Sequence, residues 1–305
     1  MTALRVRVPA TSANLGPGFD TLGVALGYGD ELTVRTSEAG VVVRVRGVGE
    51  GEVPTDESNL VVRSAAHVFS ALGRKLPGLE IEAHNRIPHG RGMGSSGSAI
   101  VAGVMIAAGL LASGDDPLHL TEEQLLGFAS ELEGHPDNVA PALFGGLTIA
   151  WVDEDHAPRF KRLNVHRGVS PLVLVPSFTM STELARSLQP KHVPHEDAVF
   201  NVSRSALLVA ALTQSPELLF EATEDRLHQN YRGDAMPETR DLIAELRAAG
   251  HAAVVSGAGP SVLVLAGDPG SRIAAAELAE ARGSGWTPLF LAVDIKGATV
   301  EEIPA

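Results

Sequence analysis

The rhythm of hydrophobic and polar positions changes several times along the chain. Residues 4–8 read Leu-Arg-Val-Arg-Val, a strict alternation that predicts a strand with one wetted face. Alternating runs over residues 31–36 and 41–45 predict further antiparallel strands. Leu60, Ala65, Val68 and Leu72 have helical spacing within 59–72, and 79–83 reads as a strand. The run of thirteen apolar or small residues over 100–112 predicts a buried helix, too short to span a bilayer. A helix with an acidic first turn is expected over 121–133, stopped by Gly134-His135-Pro136, with Asp137 and Asn138 in the turn that follows. Residues 147–152 read as a strand, and 153–168 are charged and without pattern.

The second half has a different rhythm. Strands are predicted over 172–176, 252–256, 262–266 and 289–293, and helices over 198–212, 216–228, 242–249 and 271–282. Strands paired around helices without strict alternation predict an α+β fold. The patternless stretch divides the chain into domains of residues 1–160 and 161–305, and 305 residues suffice for two cores.

Composition narrows the function classes. A formal net charge of −13 argues against a nucleic-acid or anionic-membrane partner. The absence of cysteine excludes disulfides and thiolate metal sites and fits a cytoplasmic location. The first residues show no apolar run of the kind found in signal peptides. His192 and His195 flank a proline in poor ligand geometry, so no zinc site is expected.

Residues 88–98, Pro-His-Gly-Arg-Gly-Met-Gly-Ser-Ser-Gly-Ser, carry the first chemical signal. Glycines let a backbone approach a ligand closely, and a helix beginning near Ser95 would aim free N–H groups and its positive dipole end at an anion such as phosphate. No lysine follows Gly97, so this is not a Walker A loop. Gly92-x-Gly94-x-x-Gly97 matches the dinucleotide pattern literally, but it does not leave a strand directly. The acids about 20 positions on, Asp115 and Asp116, lie in a turn.

A nucleotide phosphate site needs a divalent cation held by one or two protein oxygens. Ser95 or Ser96 with Glu133 would serve, with Glu131 as the alternative carboxylate. Arg186 and Arg232 could hold a carboxylate as two guanidinium forks while Asp20 holds an ammonium, which together describe a site for a zwitterion. Gly257-Ala-Gly259-Pro-Ser261 joins two apolar strands, either as a plain hairpin turn or as the far wall of the site.

Three motifs in order show that the chain resembles the GHMP kinases. They are Pro9-Ala-Thr-Ser-Ala-Asn14-Leu-Gly-Pro-Gly-Phe-Asp20, Pro88-x-x-x-Gly92-Met-Gly94-Ser95-Ser96 and Val255-Ser-Gly257-Ala-Gly259-Pro-Ser261. Between them, Glu133-Gly-His-Pro-Asp-Asn138 resembles the branch that acts on L-homoserine. The resemblance covers roughly residues 6–266. It implies an ATP-binding N-terminal domain like domain 2 of ribosomal protein S5 and a ferredoxin-like α/β-sandwich C-terminal domain. It implies transfer of the ATP γ-phosphoryl group to the hydroxyl of L-homoserine, a step toward threonine, in a cytoplasmic homodimer.

By the same resemblance Asn59 contacts adenine. Pro88, His89, Gly90, Arg91, Gly92, Met93, Gly94, Ser95, Ser96, Gly97 and Ser98 form the phosphate loop, and Ser95 or Ser96 with Glu133 holds Mg²⁺. Asn14, Asp20, Asp137, Arg186 and Arg232 contact the substrate, with Thr182 near the reacting end. Asn138 stands where mevalonate kinase has an aspartate, and an amide cannot act as general base. The chain departs from the family's usual Gly-Leu-Gly-Ser-Ser-Ala-Ala loop at Met93 and at Gly97-Ser98, a pair expected to loosen the helix start. Two further readings stand beside this one: a kinase of the family acting on another small alcohol, and a family member that binds ligand as a regulator without catalysis.

Overall fold

The alternation seen in the first residues continues well into the first motif. In the computed structural model, which describes residues 3–114, 116–283 and 285–304 and only the backbone of Thr182, β1 spans Ala3–Ala13. It pairs antiparallel with β2 (Leu22–Ser37), and the register shifts between Pro9 and Ala10. Proline lacks a donor for the ladder, so the irregularity falls where the sequence requires it. β3 (Val41–Gly47) runs parallel to β4 (Gly78–Asn85), with α1 (Leu60–Ala71) between them in sequence. After α2 (Ser95–Ala112), α3 (Glu122–Glu133) and α4 (Pro136–Phe144), the chain returns as β5 (Leu147–Val152) and β6 (Pro158–Leu163).

The first sheet has the order β11-β1-β2-β4-β3, with β5 also on β2 and β6 on β5; β11 (Thr299–Ile303) is the last strand of the chain. Val6, Val34 and Ile81 of this sheet pack against Val62, Val68, Val101 and Val104 of α1 and α2 in one core. α2 has the length and composition of a membrane span, yet two thirds of it is buried inside the fold. Its glycines allow that. A Cβ on Gly103 would lie 2.2 Å from the Val61 carbonyl oxygen of α1.

The second half contains β7 (Ser170–Pro176), α5 (Thr182–Ser187), α6 (His195–Thr213), the short α7 (Leu219–Ala222) and α8 (Gln229–Arg232), then α9 (Pro237–Ala248). It continues as β8 (Ala253–Val255), β9 (Val262–Ala266), α10 (Pro269–Ala281) and β10 (Trp286–Phe290). The sheet order β10-β7-β9-β8 is that of a ferredoxin-like sandwich, fourth-first-third-second in chain order, and all its pairs are antiparallel. Its central strands are apolar throughout because both faces are covered. Leu172, Leu174, Val262 and Val264 face α9 and α10, while Val173, Val175, Leu263 and Leu265 face α6 and Leu22, Val24 and Leu147 of the first sheet. The fold class read from the sequence is therefore observed.

Several local expectations are corrected. Asp137 and Asn138 sit in the first turn of α4, because Pro136 occupies the first helical position, where its missing N–H goes unmissed. The patternless 153–168 contains β6, an edge strand that needs little alternation, so the 160/161 division falls inside a strand of the first sheet. The helix expected over 216–228 breaks up. Thr223 Oγ1 donates to the Leu219 and Phe220 carbonyls, and the Asp225 carboxylate accepts from the Leu227, His228 and Gln229 amides to start α8. The strand expected at 289–293 forms earlier, at 286–290, and the chain then crosses back so that β11 pairs with β1. Asp115 lies outside the described residues.

The closeness of α1 and α2 generates a test. Gly103→Ala should destabilise the fold by about 1–3 kcal/mol, read as a lowered midpoint of chemical denaturation, since the new methyl meets backbone rather than a movable side chain.

Candidate active site

The three motifs meet on one side of the seam between the sheets. Gly92 (φ 69°) and Gly94 (φ 72°) both adopt the left-handed conformation, and each presses against a neighbour. A Cβ on Gly92 would lie 2.1 Å from the Ser256 carbonyl oxygen, and one on Gly94 would lie 2.0 Å from Thr11 Oγ1. The Thr11 N–H donates to the Met93 carbonyl (3.1 Å), and Ser98 Oγ donates to the Pro9 carbonyl (2.9 Å). Ser256 Oγ donates to the Gly92 carbonyl (2.6 Å) and lies 2.9 Å from Ser12 Oγ. First motif, glycine-rich loop and third motif are thus one packed unit.

Within 88–98 the residues divide by role. Met93 is wholly buried. Arg91 turns to the second sheet, donating to the carbonyls of His89, Pro176 and Ser177. α2 begins at Ser95 with Gly97 and Ser98 buried inside it. Gly97 lies against α4, where a Cβ would make ordinary contact with Asn138 Cβ at 3.5 Å. The helix start has Ser98 tied to the Pro9 carbonyl on one side and α4 beside Gly97 on the other.

Ser96 Oγ donates to Glu133 Oε2 at 3.2 Å. Glu131 instead faces His67 at 2.8 Å and is largely exposed. Burial raises the pKa of Glu133, and the Asp137 charge adds to that, against the lowering effects of His135, the Ser96 hydroxyl and Arg186. A half-buried carboxylate held above its ordinary pKa beside a hydroxyl at a helix start is a donor set that suits a hard cation. Asn59 caps α1, with Oδ1 accepting from the Val61 N–H and Nδ2 donating to the Pro54 carbonyl.

The other arm of the site holds charge of both signs. Asn14 and Asp20 adopt positive φ (69° and 50°) in the loop after β1. Asn14 braces that loop, donating to the Gly257 carbonyl (2.9 Å) and accepting from the Asp20 N–H (2.9 Å). Asp20 and Arg186 pair at 3.4 Å with side chains 42% and 44% exposed, so the pair is weak and easily opened by a ligand. Burial raises the Asp20 pKa, with repulsion from Asp137 adding to it and Arg186, His135 and Arg232 opposing. Arg232 is buried, lies 5.3 Å over the Phe19 ring and donates to the Gly257 carbonyl (3.3 Å), while its Nε has no partner. Burial lowers its pKa, chiefly against the pull of Asp20. A buried guanidinium with a donor to spare calls for an anion.

Asp137 is buried at the start of α4, 2.6 Å from His135 Nδ1. Burial works to lower the His135 pKa, but the hydrogen bond and charge of Asp137 outweigh it and the net shift is upward. Asn138 Oδ1 accepts from Thr11 Oγ1 (3.2 Å), and its amide N–H groups have no protein acceptor among the described residues. The Thr182 side chain, expected near the reacting end, lies outside the described atoms.

The sequence reading passed over Thr11, Ser12, Ser256, His135 and His228. The first four lie inside quoted motifs, and their chemistry emerges only from partners over a hundred residues away or from helix α4. His228 is fully buried, stacks on Phe19 (4.9 Å between centroids) and donates from Nε2 to the Gly16 carbonyl (2.8 Å). It therefore holds the loop that carries Asp20.

Matches to known proteins agree with this geometry. Residues 59–146 match the GHMP kinases N terminal domain family, and residues 206–284 match the GHMP kinases C terminal family. The chain is 68% identical to homoserine kinase of Leifsonia xyli over 303 residues, 99% of this chain and 93% of that one. It is 66% identical to homoserine kinase of Clavibacter michiganensis, covering 98% and 94%. The crystal structure of homoserine kinase from Cytophaga hutchinsonii superposes with a TM-score of 0.85 at 29% identity, covering 99% of this chain and 98% of that one.

Burial pushes the His228 pKa down to about 4. The unfolded chain takes up that proton near pH 6.5, so the contribution of neutral His228 is complete above that pH. It is lost as pH falls toward about 4, on the order of 3 kcal/mol. Denaturation measured across that window should show the loss, and His228→Asn should remove most of that slope.

Proposed function

This chain belongs to the homoserine kinase family of the GHMP kinases, and from that premise we propose that it transfers the γ-phosphoryl group of ATP to the hydroxyl of L-homoserine, giving O-phospho-L-homoserine for threonine biosynthesis. The observation that carries the substrate is the opposed charge at one end of the site. The half-exposed Asp20–Arg186 pair and the buried, under-partnered Arg232 fit an ammonium and a carboxylate on the same carbon. Homoserine entering there exchanges a weak internal pair for two substrate pairs.

The phosphate arm is supplied by the loop of Gly92, Gly94, Ser95 and Ser96 at the start of α2, whose free amides suit an anion. The ATP-binding domain is read as residues 1–160 extended to Leu163 at the end of β6, and the C-terminal domain as the remainder of 161–305, with the last strand returned to the first sheet. Asn59 at the head of α1 is our candidate for the adenine contact. Ser96 and Glu133 fit Mg²⁺, with Ser95 adjacent; when bound, the ion would offset charge on the transferring phosphates.

No side chain here needs to act as a strong base. Phosphoryl transfer through a loose transition state depends mainly on alignment and charge. Asn138, its amide oriented by Thr11, donates toward the acceptor hydroxyl or the transferring group. Asp137, held by His135, and Asn14 fix the substrate's surroundings, and Thr182 at the start of α5 is proposed near the reacting end. The resemblance alone supports a cytoplasmic homodimer.

ADP release with Mg·ATP tests the reading against L-homoserine, γ-hydroxybutyrate (which lacks the amine) and aminopropanol (which lacks the carboxylate). Each analogue should lose on the order of a hundredfold in kcat/KM. Asp20→Asn should raise KM for L-homoserine and leave γ-hydroxybutyrate unaffected. Because the Asp20 pKa is raised and the ammonium needs its ionised form, KM should climb as pH falls through a value above the ordinary carboxylate range. Equal turnover of homoserine and γ-hydroxybutyrate would sink the role of Asp20, and no ADP release with homoserine would sink the reading.

A further inference from the structure

Beside α8 lies a second cleft of about 370 Å³, lined by none of the residues assigned above to the substrate arm. Its apolar wall is formed by Met236, Ile243 and Val255, and Arg247 stands over it on α9. That volume is at the small end of the range for small-molecule sites.

The charges around it are settled with one exception. Arg226 pairs with Asp197, Arg240 with Asp234 and Asp241, and Glu224 with Arg204. The Asp225 carboxylate is turned toward the backbone amides that open α8. Arg247 has no carboxylate within ion-pair distance among the described residues. Its guanidinium donates only to Thr223 Oγ1 (3.0 Å) and to the carbonyls of Phe220 (2.8 Å) and Ala253 (3.4 Å). Burial lowers its pKa, with Glu224 in partial opposition. A half-buried cation with neutral partners beside an apolar cavity is complementary to a small anion with a hydrocarbon body.

The cleft also touches what positions both substrate arginines. Gln229, on its wall, accepts from the Val255 N–H at 2.7 Å and lies one turn of α8 before Arg232. Met236 and Val255 belong to one small core with Met180 and Ala185, and Ala185 is the residue before Arg186 on α5. An occupant pressing on Met236 and Gln229 therefore bears on Arg186 and Arg232 together.

We propose that this cleft binds a small aliphatic carboxylate, its carboxylate on Arg247 and its hydrocarbon against Met236, Ile243 and Val255, and that occupancy weakens L-homoserine binding. The binding half stands by itself, whereas the coupling half rests on the reading of Arg186 and Arg232 as substrate arginines. The probe is isovalerate, with isovaleramide as its uncharged control, followed on the full chain by saturation-transfer NMR and, separately, by KM for L-homoserine. Ala244 is exposed at the cleft, so Ala244→Trp fills it without entering a core.

Isovalerate should bind the unsubstituted protein at least about tenfold more tightly than isovaleramide, and Arg247→Gln should remove that preference. Ala244→Trp should lose isovalerate binding and, because the indole itself fills the cleft, should show a raised KM for L-homoserine with kcat kept. Isovalerate should raise KM for homoserine severalfold in the unsubstituted protein and not in Ala244→Trp. Failure to bind, or equal binding of the amide, overturns the site whatever the enzyme's activity. Binding that persists in Ala244→Trp places isovalerate on Arg186 and Arg232 and overturns it too. Binding at the cleft with an unmoved KM overturns the coupling.

Discussion

The hydroxyl of Ser256 sits where the two sheets meet, buried, donating to the Gly92 carbonyl and within reach of Ser12 Oγ. Each of those residues belongs to a different motif, so this hydroxyl is the point shared by the phosphate loop, the segment leading to Asp20 and the turn that Arg232 touches, with the Thr11–Met93 and Asn14–Gly257 contacts beside it. Buried polar groups are costly when unpaired, which makes such a junction intolerant of slippage. The glycines around it follow from the same constraint. Gly92 has no space for a side chain because the Ser256 backbone occupies it, and Gly94 yields its space to Thr11.

From that junction the two arms of the site diverge in electrostatic character. Toward α2 the chain offers backbone amides, a hydroxyl and one half-buried carboxylate, Glu133, whose pKa is raised mainly by desolvation. Toward α5 and α8 it offers one carboxylate and two guanidinium groups. In a chain of net charge −13 these cations matter by position rather than by number. Arg232 and Arg186 also differ from each other. Arg232 is preset, buried over Phe19 and tied to Gly257, whereas Arg186 is half-exposed on a six-residue helix and paired only loosely with Asp20. The second arginine is thus the adjustable one.

Much of this was legible in the sequence where local rules and tertiary structure agree. The alternation of 4–8, the helical spacing of 60–72 and the glycine-rich start of α2 all lie where the pattern placed them. What was hidden depends on distant partners. The His-Pro-Asp-Asn segment looks like a turn because proline usually stops a helix, yet here it opens one. β6 and β11 carry weak patterns because an edge strand has one neighbour at most. Glu131 and Glu133 are equivalent carboxylates in sequence. The fold separates them, sending one to His67 at the surface and the other to Ser96.

The buried Ser256 hydroxyl, which reaches both other motifs, holds the nucleotide and amino-acid arms in register. Calorimetric affinities of Ser256→Ala for Mg·ATP and for L-homoserine, on protein shown to be folded, test this most directly. Both affinities should fall, since removing the hydroxyl leaves the Gly92 carbonyl without that donor and loosens the turn next to Gly257. Loss of one affinity with the other intact, or neither changed, would contradict it.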